Sequence, residues 1–376
     1  MKTLGIGLIG SGFMGRCHVN AYNSIASIFE VSSRPVLKIL ADATPELASQ
    51  QAKALQFEQS TEDWQELVNH PEVDVVDITA PNHLHHPIAV AALNLGKPVY
   101  CEKPLACTLA EAEEMANLAK AQQIPTLVGY NYLQNPLMKT AREIVQSGEF
   151  GEPISFRGVH AEDYMANPLS PYTTRLDTSQ GGGVLYDLGS HIISLARYIA
   201  GPIQEVLGTL TTVVPERPTN SGTTREVYVD DQTHCLVRFE NGCVGTLEAS
   251  WMAWGRKMHL AFELTCTKGT LVFNQEQFNE LRLYEAGQKT GRDGFKTLLS
   301  GPDHPHYSAF CPAPGHQLGF NELKVIELLQ LIRALEGEDV CWPDFTEAFE
   351  IQKVLEAVKL SSQEVRWCSP QSMTSD

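Results

Sequence analysis

Three segments hold side chains whose types and spacing could do chemistry. Lys103 stands in Cys101-Glu102-Lys103-Pro104-Leu105, directly after an apolar run. Asp187 and His191 stand four residues apart in Gly181-Gly182-Gly183-Val184-Leu185-Tyr186-Asp187-Leu188-Gly189-Ser190-His191. On a helix that spacing puts both on one face. An imidazole titrates near neutral pH and suits a general base, and an aspartate beside it orients the ring or holds a substrate hydroxyl. A lysine partly withdrawn from water has its charged form disfavoured, which moves its proton affinity toward a useful range. Each segment also has a plainer reading. Lys103 fits a solvated surface charge, and the Asp187/His191 pair fits packing or capping within its own domain equally well.

The third segment is Gly10-Ser11-Gly12-Phe13-Met14-Gly15. It follows the apolar run Leu4–Gly10 and opens a helical stretch over Phe13–Ser27. In that setting the first glycine allows a tight turn, the second lets backbone approach a pyrophosphate, and the third lets helix pack on strand. The helix N-terminus adds free N–H groups and a positive dipole end. The turn therefore predicts a dinucleotide site. Asp42 ends the next strand, in Leu40-Ala41-Asp42-Ala43. A carboxylate there accepts from ribose hydroxyls and repels a 2′-phosphate, so the expected cofactor is NAD rather than NADP. A nicotinamide dinucleotide, a base and a donor for a developing alkoxide are what oxidation of a secondary alcohol requires.

Positioning those side chains calls for particular elements. Strands are expected over Leu4–Gly10, Pro35–Ala41, Val73–Thr79, Pro98–Cys101 and Pro125–Tyr130, with helical stretches between them. Thr44-Pro45-Glu46 starts a helix well, and Thr108-Leu109-Ala110-Glu111 has the spacing of a capping box. Alternating strands and helices predict a parallel, doubly wound sheet, an α/β Rossmann domain over residues 1–130. Lys103 then follows a strand that ends at the carboxyl edge, where such sheets bind ligands.

Beyond Asn131 the pattern changes. Helices are expected over 136–147 and within 183–200, and strands then follow in series around Glu240-Asn241-Gly242-Cys243 and Thr267-Lys268-Gly269. This predicts an α+β domain over 131–376 with a mostly antiparallel open sheet, serving substrate binding and oligomerisation. Residues 286–318 read as a long loop, and the tail from Ser361 as loose. The formal charge of −17 repels phosphate backbones and anionic membranes, so neither nucleic acid nor membrane is an expected partner. The nine scattered cysteines fit reduced thiols in a cytoplasmic protein.

Together with the glycine turn and the two catalytic segments, Ala80-Pro81-Asn82-His83-Leu84-His85-His86 completes a set of four motifs. In this order they resemble the glucose-fructose oxidoreductase/inositol dehydrogenase/MocA family over essentially the whole chain. The resemblance implies an NAD-dependent dehydrogenase acting on a sugar, anhydrosugar or cyclitol, with Lys103, Asp187 and His191 catalytic. The base stays open between Lys103 and His191, because coupled groups share titrations. The implied cofactor contacts are Gly10, Ser11, Gly12, Phe13, Met14, Gly15, Asp42, Pro81, Asn82, His83, Glu102 and Lys103. Tyr130, Asn131, Arg157, His160 and Asp163 are candidate substrate contacts, since polyols need several hydrogen-bonding groups. His83, His85 and His86 invite a metal, but no carboxylate or cysteine completes a ligand set nearby, so none is expected. Trp251 and Trp254 depart from the pattern of the family's sugar dehydrogenases. Relatives use the open sheet to form dimers or tetramers, so a homodimer or homotetramer is expected. Two other activities fit the same motifs: a glycosidase that uses NAD transiently, and a non-catalytic dinucleotide sensor.

Overall fold

The first strand, β1 (Lys2–Ile9), is apolar and buried from Leu4 onward, as a strand covered on both faces must be. It lies in a six-stranded parallel sheet with β2 (Ser33–Ala41), β3 (Gln59–Thr61), β4 (Val75–Ile78), β5 (Val99–Cys101) and β6 (Thr126–Val128), in the order β3-β2-β1-β4-β5-β6. This is the doubly wound arrangement, and the strand order reverses between β1 and β4. Helices α1 (Phe13–Ile28), α2 (Pro45–Leu55), α3 (Trp64–Asn69), α4 (His85–Asn94) and α5 (Leu109–Gln122) join the strands. The expected caps form. The Thr44 hydroxyl accepts from Leu47 N–H at 3.2 Å. Thr108 and Glu111 cap each other reciprocally, at 3.0 and 3.2 Å. Strand β3 and helix α3 were not expected. Both are short and β3 lies at the sheet edge, too brief for a periodic signal.

This computed structural model describes residues 2–338 and 341–374. They form two units: 2–134 with 319–338 and 341–350, and 135–318 with 351–374. A single boundary at residue 130 does not describe this division, because the segment after residue 318 returns to the first unit. Helix α9 (Phe320–Leu335) packs on α1 there. Downstream of it, Pro343 O accepts Val128 N–H at 2.9 Å, at the free edge of β6.

The second unit contains helix α6 (Pro136–Ser147), the span the sequence predicts, and Asn135 caps it with Pro136 in its first turn. Its sheet comprises β7 (Pro153–Ala161), β8 (Ile203–Thr211), β11 (Gln232–Phe239), β12 (Val244–Ser250), β13 (His259–Cys266), β14 (Gly269–Asn274), β15 (Glu280–Glu285) and β16 (Lys296–Leu299). A separate hairpin pairs β9 (Glu216–Pro218) with β10 (Thr224–Glu226). The eight strands run in the order β16-β15-β14-β13-β7-β12-β11-β8, and only the β7–β12 pair is parallel. Helix α7 (Ser190–Ala200) packs across β7, β12 and β13 on one face. Phe156, Leu247 and Phe262 are buried on that side, with the Phe156 and Phe262 rings stacked at 5.7 Å.

Two expectations in this unit need correction, and segment 153–161, unassigned in the sequence, is a central strand whose glycine and mixed polarity hide it. Residues 286–318 include β16 and a short helix, α8 (Tyr307–Phe310). The tail is pinned: after α10 (Phe345–Glu364), Cys368 exchanges two backbone hydrogen bonds of 2.9 Å with Val206 on β8. The nine cysteines are free thiols. No helix among the described residues is long and apolar enough to cross a membrane.

Candidate active site

In the first unit the loops at the carboxyl ends of the strands are tied to one another. Gly10 follows β1 with φ +96°, and a Cβ there would meet Thr79 O at 2.8 Å. A Cβ on Gly15 would come 2.3 Å from Gly10 O. Both glycines are thus required by close backbone approach. Gly12 is different: a Cβ there would meet nothing within 4 Å. No side chain caps α1 at Gly12, and its first turn carries no acidic residue. An open glycine beneath an uncapped helix start is the cradle a pyrophosphate needs. Asp42 accepts Ser11 N–H at 3.0 Å and also the Ser11 hydroxyl. Its other oxygen takes Ala43 N–H at 2.7 Å. The carboxylate is half-buried and fixed beside the turn, with acceptor capacity left for a ribose diol. These residues fit NAD.

The end of β4 is held to both neighbours. Thr79 Oγ1 donates to Gly10 O at 2.6 Å. His85 bridges Ala80 O, at 3.0 Å from Nε2, and Pro104 O, at 2.9 Å from Nδ1. Burial pushes the His85 pKa down. His85 therefore braces the turn that presents Pro81, Asn82 and His83, and His86 pairs with Glu114 at 2.8 Å. Among the described residues no group of three or more His, Cys, Asp or Glu could hold a metal.

Lys103 is half-buried just past β5. Its backbone N–H donates to Glu102 Oε2 at 3.2 Å. The Glu102 carboxylate is buried. Burial alone would raise its pKa, but the Lys324 ammonium and His18 outweigh burial and hold it well below the usual carboxylate range. Tyr130 and Asn131 are buried just beyond β6, and Asn131 Nδ2 has no hydrogen-bond partner among the described residues.

In the second unit Asp187 lies in a π-helical turn over Leu185–Gly189, directly before α7, which carries His191. Such turns concentrate at functional sites. The turn has its own bracing. Asp230 Oδ2 accepts Leu185 N–H at 3.0 Å and Asp230 O accepts Val184 N–H at 2.9 Å. Gly183 is required here: its φ is +112° and a Cβ would lie 2.4 Å from Asp230 Oδ1. On Asp187 Oδ2 converge the Tyr164 hydroxyl at 2.5 Å, Trp251 Nε1 at 3.3 Å and Arg175 Nε at 3.4 Å. Burial, and next the Asp187 charge, push the Tyr164 pKa up, so the phenol stays a donor. The His191 ring lies 5.5 Å from the His160 ring. His160 in turn contacts Leu188 O at 3.1 Å and Glu162 Oε1 at 3.2 Å. The unit thus gathers Asp187, His191 and His160.

Two of the expected substrate contacts are placed otherwise. Arg157 is three residues from His160 on β7 and so projects from the opposite face of the sheet, where it pairs with Glu263 at 2.6 Å. Asp163 binds Lys257 Nζ at 2.6 Å and Gly255 N–H at 2.9 Å, which fastens the loop after β12. In that loop Trp251 is fully buried and Trp254 is exposed. Tyr164, Arg175, Asp230 and Lys324 were missed. The glycine run at Gly181–Gly183 was the one available signal, since it marks a backbone that another group approaches closely.

Two expected outcomes follow from this geometry. Gly12→Ala should change stability by no more than about 1 kcal/mol yet weaken NADH binding at least about tenfold, because the methyl fills the cradle. Gly15→Ala should cost about 1–3 kcal/mol; fluorescence titration and thermal melting separate the two. If Gly12→Ala binds NADH as the wild type does, the cradle is misassigned. Burial also pushes Asp230 up to about 6 from its ordinary 3.8. A raised carboxyl stabilises the fold fully below pH 3.8 and loses that contribution as pH rises through about 6. Asp230→Asn keeps an acceptor for Leu185 N–H. Its melting temperature relative to wild type should therefore climb between about pH 4 and 7, by the equivalent of roughly 1–3 kcal/mol. A flat or falling difference would contradict the account.

Residues 4–130 match the family described as "Oxidoreductase family, NAD-binding Rossmann fold", and residues 138–272 match the "GFO/IDH/MocA C-terminal domain". The chain is 38% identical to levoglucosan dehydrogenase of Pseudarthrobacter phenanthrenivorans, over 98% of each chain. It is 28% identical to a scyllo-inositol 2-dehydrogenase (NAD(+)) of Bacillus subtilis, over 85% of this chain and 83% of that one. A levoglucosan dehydrogenase solved in complex with NADH and levoglucosan superposes with a TM-score of 0.95 at 38% identity, covering 98% of this chain and 99% of the other. With the glycine cradle, the strand order and both halves of the chain matched, this protein belongs to the Gfo/Idh/MocA family of NAD-binding oxidoreductases.

Proposed function

We propose that the chain oxidises a secondary hydroxyl of a sugar, anhydrosugar or cyclitol with NAD. The observation that carries this reading is the Asp187 carboxylate, set among fixed donors directly before the helix that bears His191. The Gly10–Gly15 turn would hold the pyrophosphate, Asp42 a ribose diol, and Pro81, Asn82, His83, Glu102 and Lys103 the remainder of the cofactor. NAD, when bound, supplies the hydride acceptor. His191 takes the hydroxyl proton, as an imidazole near neutral pH is suited to do. Asp187 holds that hydroxyl in line, and the Lys103 ammonium stabilises the negative charge that develops on oxygen. Tyr130, Asn131 and His160 add substrate contacts, the Asn131 amide having capacity to spare. Arg157 is left out, since it faces the other side of its sheet. Support for the substrate class comes from the relatives, which are named for levoglucosan and inositol.

The test is NADH formation from levoglucosan, myo-inositol and related polyols, each with NAD and NADP. NAD should be reduced with at least one polyol, and faster than NADP. Lys103→Met should lower kcat by about 10²-fold or more, a larger loss than any accompanying loss of NADH affinity. No reduction across the panel would sink the reading, and sugar release without NADH would point to a transient-NAD glycosidase instead.

We also infer a homodimer or homotetramer built on the outer face of the second sheet. That face presents Leu236 and Val244, about half exposed at 46% and 50%. Apolar side chains on an open sheet call for cover. Light scattering should return a dimeric or tetrameric mass, and a monomer at working concentration would refute the inference.

A further inference from the structure

We propose that Lys324 is a positioning residue for Lys103, acting through the buried carboxylate of Glu102. This rests on the role given to Lys103 above. Lys324 is fully buried on α9. Its ammonium lies 2.6 Å from Glu102 Oε1, 2.8 Å from Glu327 Oε2 and 3.4 Å from the Tyr100 hydroxyl, so its three donors are all engaged. Glu102 Oε1 also faces His18 Nε2 at 3.0 Å. His18 Nδ1 faces both oxygens of Asp77, at 2.9 and 3.0 Å. Both ring nitrogens of His18 thus meet carboxylates, which an imidazolium satisfies and a neutral ring does not. Burial opposes that charge, but Asp77 outweighs it and the His18 pKa is raised.

One end of the Glu102 carboxylate is therefore clamped by two cations. The other end, Oε2, accepts the backbone N–H of Lys103 at 3.2 Å. The carboxylate sits against Gly129, just past β6, where a Cβ would lie 2.5 Å from Oε1, so only glycine leaves room for it there. The clamp fixes the backbone from which the Lys103 side chain springs. A well-packed apolar pair could fill such a site with equal stability, so the ionic form is expected to specify geometry. Without Lys324 the carboxylate loses its closest cation and the Lys103 amide loses a fixed acceptor.

The test compares Lys324→Met, Lys324→Arg and the charge-balanced double variant Lys324→Met/Glu102→Gln with wild type. Hydrogen exchange on the intact chain reads the Lys103 amide without any turnover. Steady-state kinetics with levoglucosan and NAD, and fluorescence titration with NADH, read function. Lys324→Met should exchange the Lys103 amide at least about tenfold faster while β1 keeps its protection. Its kcat should fall about 10–100-fold, with KM and NADH affinity within about threefold. Lys324→Arg should recover most of both losses. If Lys324→Met fails to fold, the double variant decides: it should regain the wild-type melting temperature but not the wild-type kcat. An unchanged Lys103 amide, or a double variant with wild-type kcat, overturns the proposal. If the wild type itself does not oxidise levoglucosan, the exchange result still decides this proposal, and only the substrate reading fails.

Discussion

Glu102 carries its carboxylate nearly out of contact with water, and a buried carboxylate has to find opposite charge or lose its own. The cations that meet it are His18 on α1 and Lys324 on α9. This one requirement explains much of the first unit. It brings a helix from beyond residue 318 back against strands laid down before residue 130. It draws Asp77 on β4 and Tyr100 on β5 into the same buried cluster, the latter by stacking on His18 at 4.3 Å. Neighbouring strands and two helices are thus locked around the residue that precedes Lys103.

The carboxyl edge of the sheet follows the same logic at lower charge. Asp42 is joined to Ser11, Thr79 to Gly10, and His85 to both Ala80 and Pro104. All but the His85–Ala80 bond, which braces the turn after β4 itself, link the loop after one strand to the loop after its neighbour. Groups proposed to meet a large, charged cofactor are therefore fixed before it arrives, which reduces the ordering cost of binding. The second unit uses a comparable device. Asp230 and the close approach at Gly183 set the π-helical turn, and the turn sets Asp187 before Tyr164, Trp251 and Arg175.

Local signals in the sequence were legible where the cause was local. The glycine turn, the Thr108/Glu111 capping box, the helix over 136–147 and the Asn241-Gly242 hairpin depend on a few adjacent residues, and each is found where expected. Long-range partners were not legible. Nothing around Lys324 distinguishes it from any lysine on an amphipathic helix, because its partner lies 222 residues away. The partner of Asp163 was equally hidden, since Lys257 lies 94 residues away. Arg157 was misplaced because β7, with Gly158 at its centre and polar residues on both faces, lacks the alternation that assigns a side. Asp187 and His191 were expected one turn apart on a single helix. Their spacing, however, runs from a π-helical turn into an α-helix.

In the proposed reaction hydride leaves the hydroxyl-bearing carbon for NAD as the hydroxyl proton passes to His191. Levoglucosan deuterated at every carbon, incubated with the purified chain and NAD, tests it directly. Mass spectrometry of the cofactor should find NADH carrying one deuterium, together with a slower rate than for the unlabelled sugar. Cofactor that stays unlabelled while the sugar is consumed would contradict the account.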